Sequence, residues 1–222
     1  MANHVYFNIN VENLNEECKA LEQALPVEEV ERKSWDDSVH TYKEIIEVDR
    51  LPMYKDCGQE YDSDGHQTNW YDWGCTNVGA KWISFDDFYL EGNGYISGHS
   101  AWSHPYPFCE KLCEFIANMT NKEVLIHMTY EDEFRNFFGK DLFEAHWSKE
   151  YNEWHIDHHE NYHDGEDLTH LLSEVFNVDF NSDEEIDWWE ERDCGKDEKW
   201  SIQEYADEVV YRFFDTGLLE AL

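Results

Sequence analysis

The chain carries 51 Asp and Glu against 16 Lys and Arg, a formal net charge of -35. Acidic chains of this kind are often disordered, because they have too little apolar surface to offset the entropy of ordering. This one is different: 41% of its residues are hydrophobic and 16% aromatic, with ten Trp, thirteen Tyr and thirteen Phe. Disordered acidic segments are poor in aromatics. The chain is therefore read as a folded, strongly acidic protein. Its 222 residues leave room for one sizeable domain, or one domain with an appendage.

The charge also excludes function classes. A nucleic-acid binder replaces counterions with Lys and Arg, and this surface would do the opposite, so no direct nucleic-acid contact is expected. Anionic membrane surfaces would repel it. No apolar run approaches the length of a transmembrane helix. Met1-Ala2-Asn3-His4 lacks the basic and apolar stretches of a signal peptide, so a cytoplasmic protein is expected. Six cysteines, Cys18, Cys57, Cys75, Cys109, Cys113 and Cys194, include no CxxC pair. In a reducing compartment they are read as thiols, with Cys109 and Cys113 on one helical face as small core residues.

Periodicity then orders the chain. Val5, Phe7, Ile9 and Val11 alternate with polar residues, the mark of a half-buried strand. Asn13 to Val30 reads as an amphipathic helix with Cys18, Leu21 and Leu25 as its stripe. A short strand at 42–48 is read in an otherwise irregular stretch, and Asp62-Ser63-Asp64-Gly65 marks a loop. Trp70 and Trp73 have the spacing of one helical face. Residues 83–90 and 95–102 read as a hairpin across Glu91-Gly92-Asn93-Gly94. A helix opens near Pro105 and runs to about Met119. Strands at 124–131, 142–148 and 153–159 complete a mostly antiparallel α+β domain over 1–160. Beyond it, 161–222 reads as an acidic helical extension.

The run Trp70-Tyr71-Asp72-Trp73-Gly74-Cys75-Thr76-Asn77-Val78-Gly79-Ala80-Lys81-Trp82 resembles the tryptophan-rich signature of the YubB-type ferredoxin-like family of phages and plasmids. The following strand pair, the Ser103-His104-Pro105-Tyr106-Pro107 turn and the helix after it match that layout. Val78 and Ala80 depart from the family's usual Trp and Thr. The resemblance covers about residues 1–160 and implies a ferredoxin-like fold and a mobile-element origin. It implies no reaction. From the residues themselves, the three indoles are read as packing a helix on the sheet, with Gly74 and Gly79 allowing close approach. Lys81 is read as a cation–π partner.

Two features carry functional readings. His146, His155, His158, His159 and His163 fall among Glu150, Glu153, Asp157 and Glu160, a chemically legitimate set for a divalent metal. On a strand, however, His155 and His159 share one face and His158 the other. The cluster is therefore read as structural, with a metal-binding module or enzyme as the alternative. No nucleophile elbow, P-loop or dinucleotide fingerprint occurs, and neither a catalytic residue nor a cofactor is assigned. The second feature is the charge. Thirty-five charges at about 1.7 Å each correspond to about 60 Å of duplex, longer than a compact chain of this size at roughly 45 Å. That suits a phage or mobile-element inhibitor that imitates DNA toward a basic, DNA-binding host defence protein such as a nuclease or restriction complex. The expected contact surface is Asp183, Glu184, Glu185, Asp187, Trp188, Trp189, Glu190 and Glu191, supported by Glu16, Glu17, Glu22, Glu28 and Glu29. A homodimer would lengthen the charge track. An acidic module whose partner ignores DNA is the remaining alternative.

Overall fold

A computed structural model of the chain describes residues 3–12, 14, 27–33, 39–45, 48–90, 94–134, 136–164, 170, 210 and 214. Two compact units divide the chain, Met1–Phe134 with Lys140–Asn161, and Arg135–Gly139 with Tyr162–Leu222. The first holds the metal-centre residues His104, Asp141 and Glu160 and the cleft around Asp49.

Eight strands and two α-helices are described. Strands β1 (His4–Glu12), β4 (Ile83–Tyr89), β5 (Tyr95–Ala101), β6 (Val124–Asp132), β7 (Phe137–Ser148) and β8 (Glu153–Asp164) form one sheet in the order β4-β5-β1-β6-β7-β8. Helices α1 (Trp70–Asn77) and α2 (Tyr106–Thr120) lie in the connections β1-α1-β4 and β5-α2-β6. Strand β1 is central and antiparallel to both neighbours, with Phe7 opposite Gly98 on β5 and Tyr130 on β6. Its alternation is realised as expected: Val5, Phe7, Ile9 and Val11 are fully buried, while Tyr6, Asn8, Asn10 and Glu12 face out. Pairing β1 on both edges removes its backbone groups from water in the ladder, so every inward side chain serves the core.

Helix α2 covers the inner sheet face with Phe108, Cys109, Leu112, Cys113, Ile116 and Ala117, all buried. Pro107 sits in its first turn, where a missing N–H costs nothing, and Asn121 ends it in the left-handed conformation at φ 51°. Helix α1 approaches β4 through glycine. A Cβ on Gly74 would stand 2.9 Å from the carbonyl oxygens of Ala80 and Lys81, and one on Gly79, at φ +88°, would meet Pro107 Cδ at 2.3 Å. The close approach expected of both glycines is therefore present. The three indoles differ: Trp82 is half-buried, its ring edge-on to His4 of β1 at 5.4 Å and His99 of β5 at 5.6 Å. Trp73 is buried and donates its Nε1–H to the Cys57 carbonyl at 2.9 Å, but Trp70 is 46% exposed.

One expectation is corrected. Val27–Lys33 is a strand, β2, hydrogen-bonded antiparallel to β3 (Val39–Ile45), rather than the end of a helix. Pro26 interrupts any helix drawn through it, and β-branched Val27 pairs opposite Ile45. Glu28 and Glu29 therefore belong to a hairpin, opposite Glu44 and Lys43. Residues 15–26 and the acidic segment 183–191 lie outside the described residues. Among the described residues no helix is long and apolar enough to cross a membrane.

The two cysteines of α2 behave as core residues. Burial pushes the Cys109 thiol well above its ordinary range and the Cys113 thiol up to about 12. The folded state thus holds protons that the unfolded chain releases, so the stability due to these thiols is complete below the ordinary thiol range. It is lost as pH rises from there toward 12. Aromatic-disulfide titration at pH 8 should label exposed Cys75 and half-buried Cys57 at once and spare Cys109 and Cys113 until denaturant is added. Immediate labelling of either α2 thiol would contradict the packing.

Candidate metal centre

The inner-face periodicity of β7 places a carboxylate where a hydrophobe would be expected. Phe143 and Ala145 are fully buried on that face, and two residues upstream Asp141 shares it, its side chain 0% exposed. A carboxylate there needs donors or cations, because burying it bare is costly. Tyr130 on β6 donates its hydroxyl to Asp141 Oδ1 at 3.4 Å, and His158 on β8 donates from Nε2 to Oδ2 at 3.0 Å. A third group, His104, comes from the turn before α2. Its Nε2 lies 3.4 Å from Asp141 Oδ2 and 3.9 Å from Glu160 Oε1.

Both imidazoles are held by ring packing. His104 stacks on Tyr130 at 3.9 Å and 6°. His158 lies between Phe143 at 4.4 Å and Tyr106 at 5.5 Å, nearly parallel to both. Such packing fixes the direction in which each Nε2 points. Glu160 follows His158 by two residues on β8, so the strand period brings both to the same side. His104 is 12% exposed and Glu160 50%, so the group runs from a buried carboxylate to a wetted one.

One atom in this arrangement is anomalous. His104 Nε2 is buried and has no hydrogen-bond partner, although two carboxylates stand close by. Its neighbours lack hydrogen-bond geometry, yet one ligand atom each from His104, Asp141 and Glu160 lie within 4.8 Å of one another. Donors bound at about 2.0–2.2 Å to a tetrahedral zinc stand about 3.3–3.6 Å apart. The 3.4 and 3.9 Å separations approach that spacing. A divalent cation among the three would satisfy the orphaned nitrogen and neutralise the buried carboxylate together. His158 and Tyr130 would then act behind the ligands, holding Asp141 in place.

The sequence reading located this region but grouped its residues differently. His155 and His146 lie on the opposite sheet face, where Asp157 stands 3.5 and 3.3 Å from them, and His159 is exposed. His158, set aside for pointing the other way, is the histidine at the centre. Asp141 and His104 were missed. An acidic residue alternating with Phe143 and Ala145 was a usable signal for the first. Nothing local signals His104, which lies 37 positions before Asp141. The Lys81 reading holds: its Nζ lies 4.9 Å from the Trp102 ring centroid, 5.8 Å from Trp70 and 5.9 Å from Tyr71. No protein-family model, curated protein or solved structure matches the chain.

Removing the carboxylate should be more harmful than removing a surface acid. Asp141→Ala leaves the Tyr130 hydroxyl and the His158 imidazole without their common acceptor and should cost about 3 kcal/mol in urea unfolding. The same change at exposed Asp86 should cost under about 0.5 kcal/mol. Equal losses would remove Asp141 from the centre of the network.

Proposed function

We propose that this protein binds a divalent transition-metal ion, zinc in the first instance, through His104, Asp141 and Glu160. The observation that supports this most directly is the buried His104 Nε2, unpartnered and facing two carboxylates. One imidazole and two carboxylates suit zinc and its neighbours better than calcium, whose ligands are all oxygen. Three protein ligands leave a fourth position for water, the arrangement of sites in which the metal activates a hydroxide. The net charge of -35 adds a field that concentrates cations near the surface. His158 and Tyr130 bear on affinity by keeping Asp141 from rotating away.

Calorimetric titration of chelator-treated protein with zinc should give one site. At a hundredfold excess over the dissociation constant, binding should stabilise the fold by about 2.7 kcal/mol. Glu160→Gln, at a half-exposed position, should weaken binding at least tenfold while leaving the unliganded melting temperature within a few degrees. His104→Ala should abolish the single site. Zinc binding that survives both substitutions would refute the assignment.

A second reading rests on the whole-chain charge. We infer that the protein also engages a basic, DNA-binding partner by presenting an acidic surface in place of a duplex, as a mobile-element inhibitor of a host defence protein would. The element order supports the ferredoxin-like part of the resemblance: β1-α1-β4-β5-α2-β6, with sheet order β4-β5-β1-β6, follows a βαββαβ pattern, with β7 and β8 added to the sheet and the β2–β3 pair inserted between β1 and α1. Reversing four of Asp183, Glu184, Glu185, Asp187, Glu190 and Glu191 should weaken partner capture from bacterial lysate at low salt. Competing duplex DNA should release what is captured. Partners indifferent to DNA would sink the mimicry and leave an ordinary acidic interaction module.

A further inference from the structure

A cleft of about 310 Å³ opens between α1, the segment 48–67 and the start of β4. Trp70, Trp73, Trp82 and Tyr61 line it, together with Asp49 and Lys81. Asp49 is the unusual member. It is 8% exposed, and its carboxylate accepts one hydrogen bond, from the Tyr61 hydroxyl to Oδ2. No Lys, Arg or His among the described residues pairs with it. Its backbone carbonyl is separately held by Gln59 Nε2 at 2.8 Å, which fixes the residue in the cleft wall. The other charge of the cleft does not compensate it. Lys81 Nζ is engaged at the rim, 4.9 Å from the Trp102 ring centroid and 5.8 Å from that of Trp70, which leaves Trp82 and one face of Trp70 to an incoming cation.

A sheltered carboxylate without a cation, walled by indoles and a phenol, is complementary to a flat organic cation. Guanidinium meets both demands. Its fork of N–H donors pairs with a carboxylate, and its weakly hydrated face stacks on aromatic rings. An ammonium offers neither the plane nor the fork. The rim has a second sign of a contact surface: Trp102 is 50% exposed and held at φ 72°, a strained conformation for a bulky residue that the surrounding fold must maintain.

We infer that this cleft receives the guanidinium of an arginine side chain presented by a basic partner protein. The net charge favours that source, because a chain at -35 draws basic surfaces toward it from solution. The inference extends the acidic-partner reading by naming the group that is grasped. It is independent of the metal centre, whose residues lie on β7, β8 and the turn before α2. Asp49 supplies the charge, Trp70 and Trp82 the stacking faces, and Tyr61 orients the carboxylate.

The test uses the full chain in chelator, with tryptophan fluorescence as readout and N-acetylarginine N-methylamide as probe. Saturable binding is expected. The citrulline analogue, the same shape without the charge, should bind at least tenfold more weakly. Asp49→Asn should lose at least tenfold toward the arginine probe and nothing toward the citrulline one. Should Asp49→Asn fail to fold, Trp70→Ala at a half-exposed site gives the decision instead, again by at least a tenfold loss. Equal affinity for the two probes, or arginine binding untouched by the variant that folds, overturns the inference. So does free arginine binding more tightly than the blocked form, which would make the natural ligand a small metabolite. The DNA-competition experiment is read separately, so failure here leaves that result standing.

Discussion

Strand β1 is the element on which the sheet depends. It is paired on both edges, and its four inward side chains, Val5, Phe7, Ile9 and Val11, are wholly buried. Each pairing also sets a neighbour's face. The register Phe7 to Gly98 sets the Phe7 ring over the glycine, where a Cβ would stand 2.9 Å from it and would also press on the Ser84 carbonyl of β4. On the other edge, Phe7 opposite Tyr130 puts that tyrosine on the inner face. From there it can reach both His104 and Asp141.

The centre follows from the same period that builds the core. A strand has no means of turning one inward residue away without disturbing the next. On β7 the register that buries Phe143 and Ala145 also buries Asp141. On β8 the register that faces His158 toward Phe143 carries Glu160 along with it. The apolar packing thereby holds polar groups close together, and rings supply the rigidity that hydrogen bonds alone would not. A cluster so constructed is preorganised: the positions of His104, Asp141 and Glu160 are set by the folding of the sheet.

Strongly alternating or capped segments were legible in advance. Strand β1, the β4–β5 hairpin, α2 and β6 fall within a residue or two of the positions expected from pattern alone. The hairpin at 27–45 was less legible, because a run of Glu between valines fits a helix as easily as a strand until Pro26 is given its weight. The tryptophan signature was half legible. Its glycines do permit the close approach of α1, but spacing could not tell which indole would be buried. Trp73 found a carbonyl partner inside, while Trp70 stayed at the mouth of a cleft with Lys81.

By itself the sequence determined that this chain is acidic, aromatic-rich and able to bury a core on one face of a sheet, since composition and period act through burial and charge alone. It also brought His158 and Glu160 to one side of a strand, because that relation needs only a two-residue repeat. The meeting of those residues with Asp141 and His104 was decided by tertiary structure. Strand order and register place β6, β7, β8 and the turn before α2 against one another, and no local preference encodes a contact across 37 or 56 positions. The same holds for Asp49 among the indoles. Nearness of charges in space, which controls metal affinity and cation recognition alike, is a property of the folded sheet and its connections.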